Sequence, residues 1–248
     1  MRQHRVIVIF TAVLLACVAS SCGVKADLLF RADRSASLAL AVEVPQALEA
    51  KLRQFAAAAP APATGSSIVV PAMFDAAAIA ASVSARGIVI GESVAPSPRS
   101  WRGAFSSANL EKLLASDSEL ATLLAYARGP GWASIRLRVD RTNAAAIAGL
   151  FPSLDGQLLE ALQPPALYDN PVTAAEYRAM LSGLLGKAAV SALDGVALVL
   201  SASFPGAIME SSGGVKIDAA RKTATLSVPA IELMVLEQPV VFYIQWKE

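Results

Sequence analysis

Residues 24–44, VKADLLFRADRSASLALAVEV, decide the fold. Val24, Ala26, Leu28 and Phe30 alternate with Lys25, Asp27, Leu29 and Arg31, a period of two that sends each set to one face of a strand. Ala32-Asp33-Arg34 reads as a turn, and over residues 35–44 Leu38, Leu40, Val42 and Val44 again share a face. Together they predict a β-hairpin. The far end of the chain returns to the same pattern. Residues 196–204 form a strongly apolar run that Pro205-Gly206 breaks, and Ser211-Ser212-Gly213-Gly214 reads as a hairpin turn before Val215-Lys216-Ile217. Residues 223–228 and 240–246 follow as strands, the second with Val240, Phe242, Ile244 and Trp246 on one side.

Between these ends the pattern is mostly helical. Pro45 suits a first helical turn, and Leu48, Leu52 and Phe55 give that helix an apolar stripe, ended by the low-complexity stretch 56–67. An alanine-rich helix is expected over residues 71–86. Strands at 88–94 and 99–106, joined across Ala95-Pro96-Ser97-Pro98, place Trp101, Gly103 and Phe105 together. Leu110, Leu113 and Leu114 mark a short helix. Ser116 and Glu119 have capping-box spacing before a helix carrying Leu120, Leu123 and Leu124, which Gly129-Pro130-Gly131 stops. Residues 132–139 alternate as a strand, with Arg136 and Arg138 on its polar face. Helices are expected at 143–150 and 153–162, and Thr173 with Glu176 makes a second capping box before Tyr177, Met180, Leu181, Leu184 and Leu185. Strands precede and follow the helices without regular alternation, which disfavours a doubly wound parallel fold. The expectation is α+β: a mainly antiparallel sheet from the N- and C-terminal strands, packed against a helical middle section.

Upstream of the hairpin lie Arg2 and Arg5, an apolar run over residues 6–15, and small residues leading to Cys22, the layout of a bacterial secretory signal. The run is shorter than the roughly 20 apolar residues a membrane-spanning helix takes. Ala19-Ser20-Ser21-Cys22-Gly23 resembles a lipoprotein site, at which the cysteine sulfur is lipidated and becomes the first residue of the mature chain; Cys17, after Leu14-Leu15-Ala16, is the rival. Residues 1–21 are thus expected to be a lipoprotein signal peptide and residues 22–248 a single α+β domain, long enough for a sizeable core. About one residue separates Cys22 from the first strand pattern, which places the fold close to the bilayer.

Composition narrows the chemistry. The chain has 21 Lys+Arg against 20 Asp+Glu, and loss of Arg2 and Arg5 leaves no bulk charge to attract nucleic acid. The single histidine, His4, falls within the signal, and Cys17 and Cys22 are the two cysteines. A chain processed at Cys22 lacks the imidazole that Ser-His-Asp and Cys-His catalysis require, and lacks His and Cys ligands for zinc. No mature lysine follows a serine at Ser-x-x-Lys spacing. Glu210, Asp218 and Glu232 invite a carboxylate-pair hydrolase, which needs two carboxyls facing across a cleft, but solvated surface is the better reading of them, since charges are rarely buried. Trp101 between Arg99 and Arg102 could be a binding edge; burial in the core is the commoner fate of an aromatic.

The Ser20-Ser21-Cys22-Gly23 site, the immediate hairpin and the C-terminal run FPGAIMESSGGVKID…TATLSVP…VVFYIQW resemble small lipoproteins of spirochetes, and more distantly membrane-anchored bacterial proteins of the LppM-like type. The resemblance implies an envelope lipoprotein and brings no catalytic residue with it. The leading expectation is a non-enzymatic protein without cofactor or metal, held in the cell envelope by palmitate-type lipid at the inner or outer membrane. It would bind an envelope protein partner or assemble at the membrane surface, without nucleic acid. A carrier of a small hydrophobic ligand is the alternative, and a carboxylate hydrolase comes third.

Overall fold

The structure, a computed structural model, describes residues 23–58, 73–149, 162–168 and 171–248. Residues 1–22, with both cysteines, lie outside it, as do most of the low-complexity stretch, all but the last residue of the helix expected at 153–162 and the Phe55 side chain.

The predicted hairpin forms as read. Strand β1 (Gly23–Phe30) pairs antiparallel with β2 (Ala36–Glu43), from Gly23 opposite Glu43 to Phe30 opposite Ala36. Its turn is held by Asp33, whose Oδ1 accepts from the Ser35 N–H at 2.9 Å, and by Arg34 at φ 72°. On its other side β1 pairs parallel with β7 (Ala197–Ser203), which joins the two ends of the chain in one sheet. That sheet has seven strands in the order β3-β4-β2-β1-β7-β10-β9, with β3 at Val89–Ser97, β4 at Ser100–Ser107, β9 at Lys216–Ile217 and β10 at Thr223–Pro229. Only the β1–β7 pair in it is parallel.

The remaining strands make a second, antiparallel sheet in the order β5-β6-β11-β8: β5 Leu124–Gly129, β6 Trp132–Val139, β8 Ile208–Ser211 and β11 Val240–Lys247. The C-terminal strand therefore does not extend the first sheet. It packs across it, because Phe242, Ile244 and Trp246 bury one face against Ala26, Phe30, Leu200, Ala202 and Phe204. Phe30 and Phe204 stack at 5.2 Å, and Trp246 sits 4.8 Å from Phe204. Pro205-Gly206 is the corner between the sheets. A Cβ at Gly206 would run into the Lys247 carbonyl, so the crossing needs a glycine.

Helices fill two further layers. Helix α1 (Gln46–Ala58) follows β2; α2 (Ala76–Ala85), capped by Asp75, lies under Trp101 and Phe105. After α3 (Leu110–Ser116), α4 (Ser118–Leu123), α5 (Ala144–Gly149) and α6 (Pro165–Tyr168), a cap is built by α7 (Ala174–Leu185), α8 (Lys187–Asp194) and α9 (Ala230–Val235) with Leu52 of α1. The Thr173–Glu176 capping box opens α7.

Several local expectations are corrected. The helix carrying Leu120 and Leu123 stops at Leu123: Leu124 is extended and starts β5, whose Leu124 and Tyr126 pair with Leu137 and Ile135. Pro130-Gly131, with Gly131 at φ 78°, then joins β5 and β6 as a hairpin turn of type II order. The cap of α4 is Asp117, not Ser116, accepting from the Glu119 and Leu120 N–H groups. Residues 211–214 are no hairpin, since β8 and β9 belong to different sheets. The turn between β3 and β4 is tighter than expected and falls at Pro98-Arg99. Helix α1 runs on to Ala58, into the alanine run expected to end it.

Candidate functional site

The lipidation candidates Cys22 and Cys17 lie outside the described residues, but the structure places the residue that follows Cys22. Gly23 is already in β1, opposite Glu43 on one side and Ala197 on the other. A Cβ at Gly23 would come within 2.5 Å of the Ala197 carbonyl oxygen. No spacer separates Cys22 from the sheet. Gly23 shares one rim of the large sheet with the end of β2, the start of β7 and the end of β10. At the same rim Arg99 pairs with Glu43 at 3.1 Å and donates to the Val44 carbonyl, tying the β3–β4 turn down.

The carboxylates singled out in the sequence do not converge. Asp218 closes the turn into β10, its Oδ1 accepting from the Lys222 and Thr223 N–H groups at 2.8 and 2.9 Å. The Thr223 N–H and then that of Lys222 hold its carboxyl below the usual range. Glu210 is exposed on β8 and Glu232 on the first turn of α9, where it lines a cleft among β10, β11 and α9.

Two clefts bring together residues that sequence reasoning had not joined. The first, of about 470 Å³, gathers Glu119, Thr122, Arg138, Asp140 and Asn143. Its polar groups are occupied with one another: Asp140 accepts from the Thr142 hydroxyl and from Arg138, which hold its carboxyl near pKa 2, and Glu119 takes Arg86. Asn143 donates to the Thr122 and Arg138 carbonyls. This is turn chemistry: Asp140 stays ionised at neutral pH and is no proton donor there. The second cleft, of about 360 Å³, lies among β10, β11 and α9 and holds Glu232 and Glu237. Glu237 accepts from the Ala174 N–H at 2.7 Å, a bond at the start of α7. The one sequence signal for these pairings is an Asp or Asn next to turn residues, as in Asp140-Arg141-Thr142-Asn143.

Trp101 is fully buried against Phe105, Ile79 and Val83, and its indole N–H donates to Ser93 Oγ at 3.2 Å, so the core reading holds and the binding edge does not. Arg136 and Arg138 are exposed, as expected of a strand's solvent face; Arg136 lies 5.4 Å over the Tyr243 ring and Arg138 pairs with Asp140. Among the described residues no group of three or more His, Cys, Asp or Glu side chains is placed to hold a metal ion, and no helix is long and apolar enough to cross a membrane.

No protein-family model matches the chain, and no curated protein matches its sequence. Among solved structures, the chain is similar to the folded domain of Mycobacterium tuberculosis LppM, determined by NMR, at 10% sequence identity and a TM-score of 0.39, over 92% of this chain and 90% of that one. The likeness to LppM expected from the sequence thus has a counterpart in a distant structural match, whereas the spirochete likeness has none in these comparisons.

Proposed function

We propose that the chain is an exported bacterial lipoprotein, lipidated on Cys22, whose domain works without catalysis by binding or assembly at the membrane surface of the cell envelope. The observation that carries this reading is the start of β1 at Gly23, paired on both sides one residue after the candidate lipid site. An anchor so placed holds a folded domain directly against lipid, and two or more acyl chains make such anchoring durable. A carrier would need an enclosed apolar cavity. Between the sheets that space is taken up by Phe30, Phe204, Phe242 and Trp246, and both clefts described above are partly polar and open.

The test is metabolic labelling with palmitate. Wild type should take up the label, Cys22→Ala should abolish it and Cys17→Ala should leave it. Label lost with Cys17→Ala and retained in Cys22→Ala would move the site to Cys17; an unlabelled wild type would remove the lipoprotein reading.

A further inference from the structure

The seven-stranded sheet buries one face against the second sheet and α2; the side chains of its other face join none of the core clusters among the described residues. We propose that this outer face docks a second copy of the chain, the two sheets packing face to face about a two-fold axis. The inference goes beyond the lipid-anchor reading and draws nothing from it, since every residue involved lies within the sheet.

Alternation along each strand separates the two faces. On β1, Ala26, Leu28 and Phe30 turn inward to the second sheet, whereas Lys25, Asp27 and Leu29 turn outward. Register carries that division across the sheet: Asp27 lies opposite Ala39 on one side and Ser201 on the other, Ala39 opposite Ala104, and Ser201 opposite Thr225. Most outward positions are thus Ala, Ser or Thr, short enough for another sheet to approach to the usual 10 Å or so. Three longer apolar side chains, Leu29, Val89 and Val94, stand exposed on the same face. Six of the strands are seven to nine residues long. At ordinary strand spacing and rise they cover about 700 Å², close to the roughly 800 Å² that each partner contributes to a standard interface.

Charge selects the partner and its orientation. Lys25 and Arg102 share one row, because both lie opposite Ala41. Asp27 and Glu92 share the next row, linked through Ala39 and Ala104. All four are exposed, and none makes an ion pair among the described residues. A two-fold axis that crosses the strands between these rows sets Lys25 of each copy over Asp27 of the other. It also brings Arg102 within one strand spacing, about 4.8 Å, of Glu92 of the other copy. An axis running along the strands would set each row against itself, cation on cation and carboxylate on carboxylate, which costs several kcal/mol at an interface. The face is therefore complementary to itself in one arrangement.

Sedimentation equilibrium of the full chain, in detergent matched in density to the buffer, reads the association directly. Wild type should be a dimer that weakens as salt is raised. Lys25→Glu and Asp27→Lys, at exposed positions that leave the fold intact by circular dichroism, should each weaken the dimer about tenfold or more. The double variant Lys25→Glu/Asp27→Lys exchanges the two charges and should recover most of that loss. Ala39→Arg, which puts a long side chain in the middle of the face, should give a folded monomer. A monomeric wild type overturns the proposal, as does a dimer untouched by Ala39→Arg or a double exchange no tighter than the single reversals.

Discussion

The core between the two sheets and the core of the helical cap are built in different ways from the same chain. Between the sheets, the rings of Phe30 and Phe204 stack and Trp246 tilts against both, a cluster drawn from both ends of the sequence. In the cap, Tyr177, Leu181, Leu185, Val190 and Leu193 come from one short stretch, joined by Leu52 and Ile231. Closing the sandwich therefore requires bringing distant segments together, with the loop entropy that entails, whereas much of the cap assembles from local contacts. The lesson is one of placement. The locally built, aliphatic part lies at the rim where β1 begins at Gly23, and the aromatic long-range part lies away from it.

The sharpest way to break this comparison is Trp246→Ala. Trp246 is 2% exposed and touches both Phe30 and Phe204, so truncation should cost about 3–5 kcal/mol in urea unfolding. Its indole N–H is buried without a hydrogen-bond partner among the described residues, so Trp246→Phe, which keeps a ring and drops that donor, should recover much of the loss. Equal losses for the two variants would show that ring packing is not what holds the sheets together. Leu181→Ala comes next, at about 2–4 kcal/mol, since Leu181 is fully buried in the cap. Here the pattern matters more than the size. Amide exchange should speed up over residues 174–194 while β1 and β7 stay protected; equal acceleration in both would merge the two cores into one cooperative unit.

What the sequence disclosed follows the same division. The β1–β2 hairpin was legible because one face is buried and the other wet, so Val24, Ala26, Leu28 and Phe30 alternate cleanly. Helix α7 was legible through Thr173, Glu176 and its Leu spacing. The mainly antiparallel α+β class followed from such segments. The second sheet was not legible, because periodicity shows that β11 has a buried face but not which partner covers it. Strand β5 hid because Leu120, Leu123 and Leu124 keep helical spacing, and only pairing with β6 makes Leu124 extended. The parallel β1–β7 pair, joining segments from opposite ends of the chain, left no local trace. At the candidate site, the absent spacer after Cys22 could be read directly, but the helical cap at the same rim emerged only from strand directions. The carboxylates Glu210, Asp218 and Glu232 had no readable geometry, since sequence gives no distance between elements.

The mildest test probes whether the cap's local character extends to its first turn. Thr173 Oγ1 accepts from the Glu176 N–H at 3.2 Å, and Glu176 Oε2 accepts from the Thr173 N–H at 2.8 Å, satisfying two helix-end donors reciprocally. Thr173→Ala should cost about 1 kcal/mol, with the lost protection confined to the start of α7. The pH dependence has a definite sign. The Thr173 N–H and then its hydroxyl hold the Glu176 carboxyl below its ordinary value of 4.5, so the ionised form is favoured in the fold. Its contribution is complete above that ordinary value and fades as pH falls through the lower folded one. Glu176→Gln should therefore flatten the acid limb of the stability curve below about pH 4.5. Thr173→Ala, which keeps the carboxylate's bond to the residue-173 N–H and loses its bond to the hydroxyl, should flatten it only in part. An acid limb unchanged in both variants would mean that the box closes without helping to hold the helix, and that α7 is fixed at this end by the Glu237 bond to Ala174 instead.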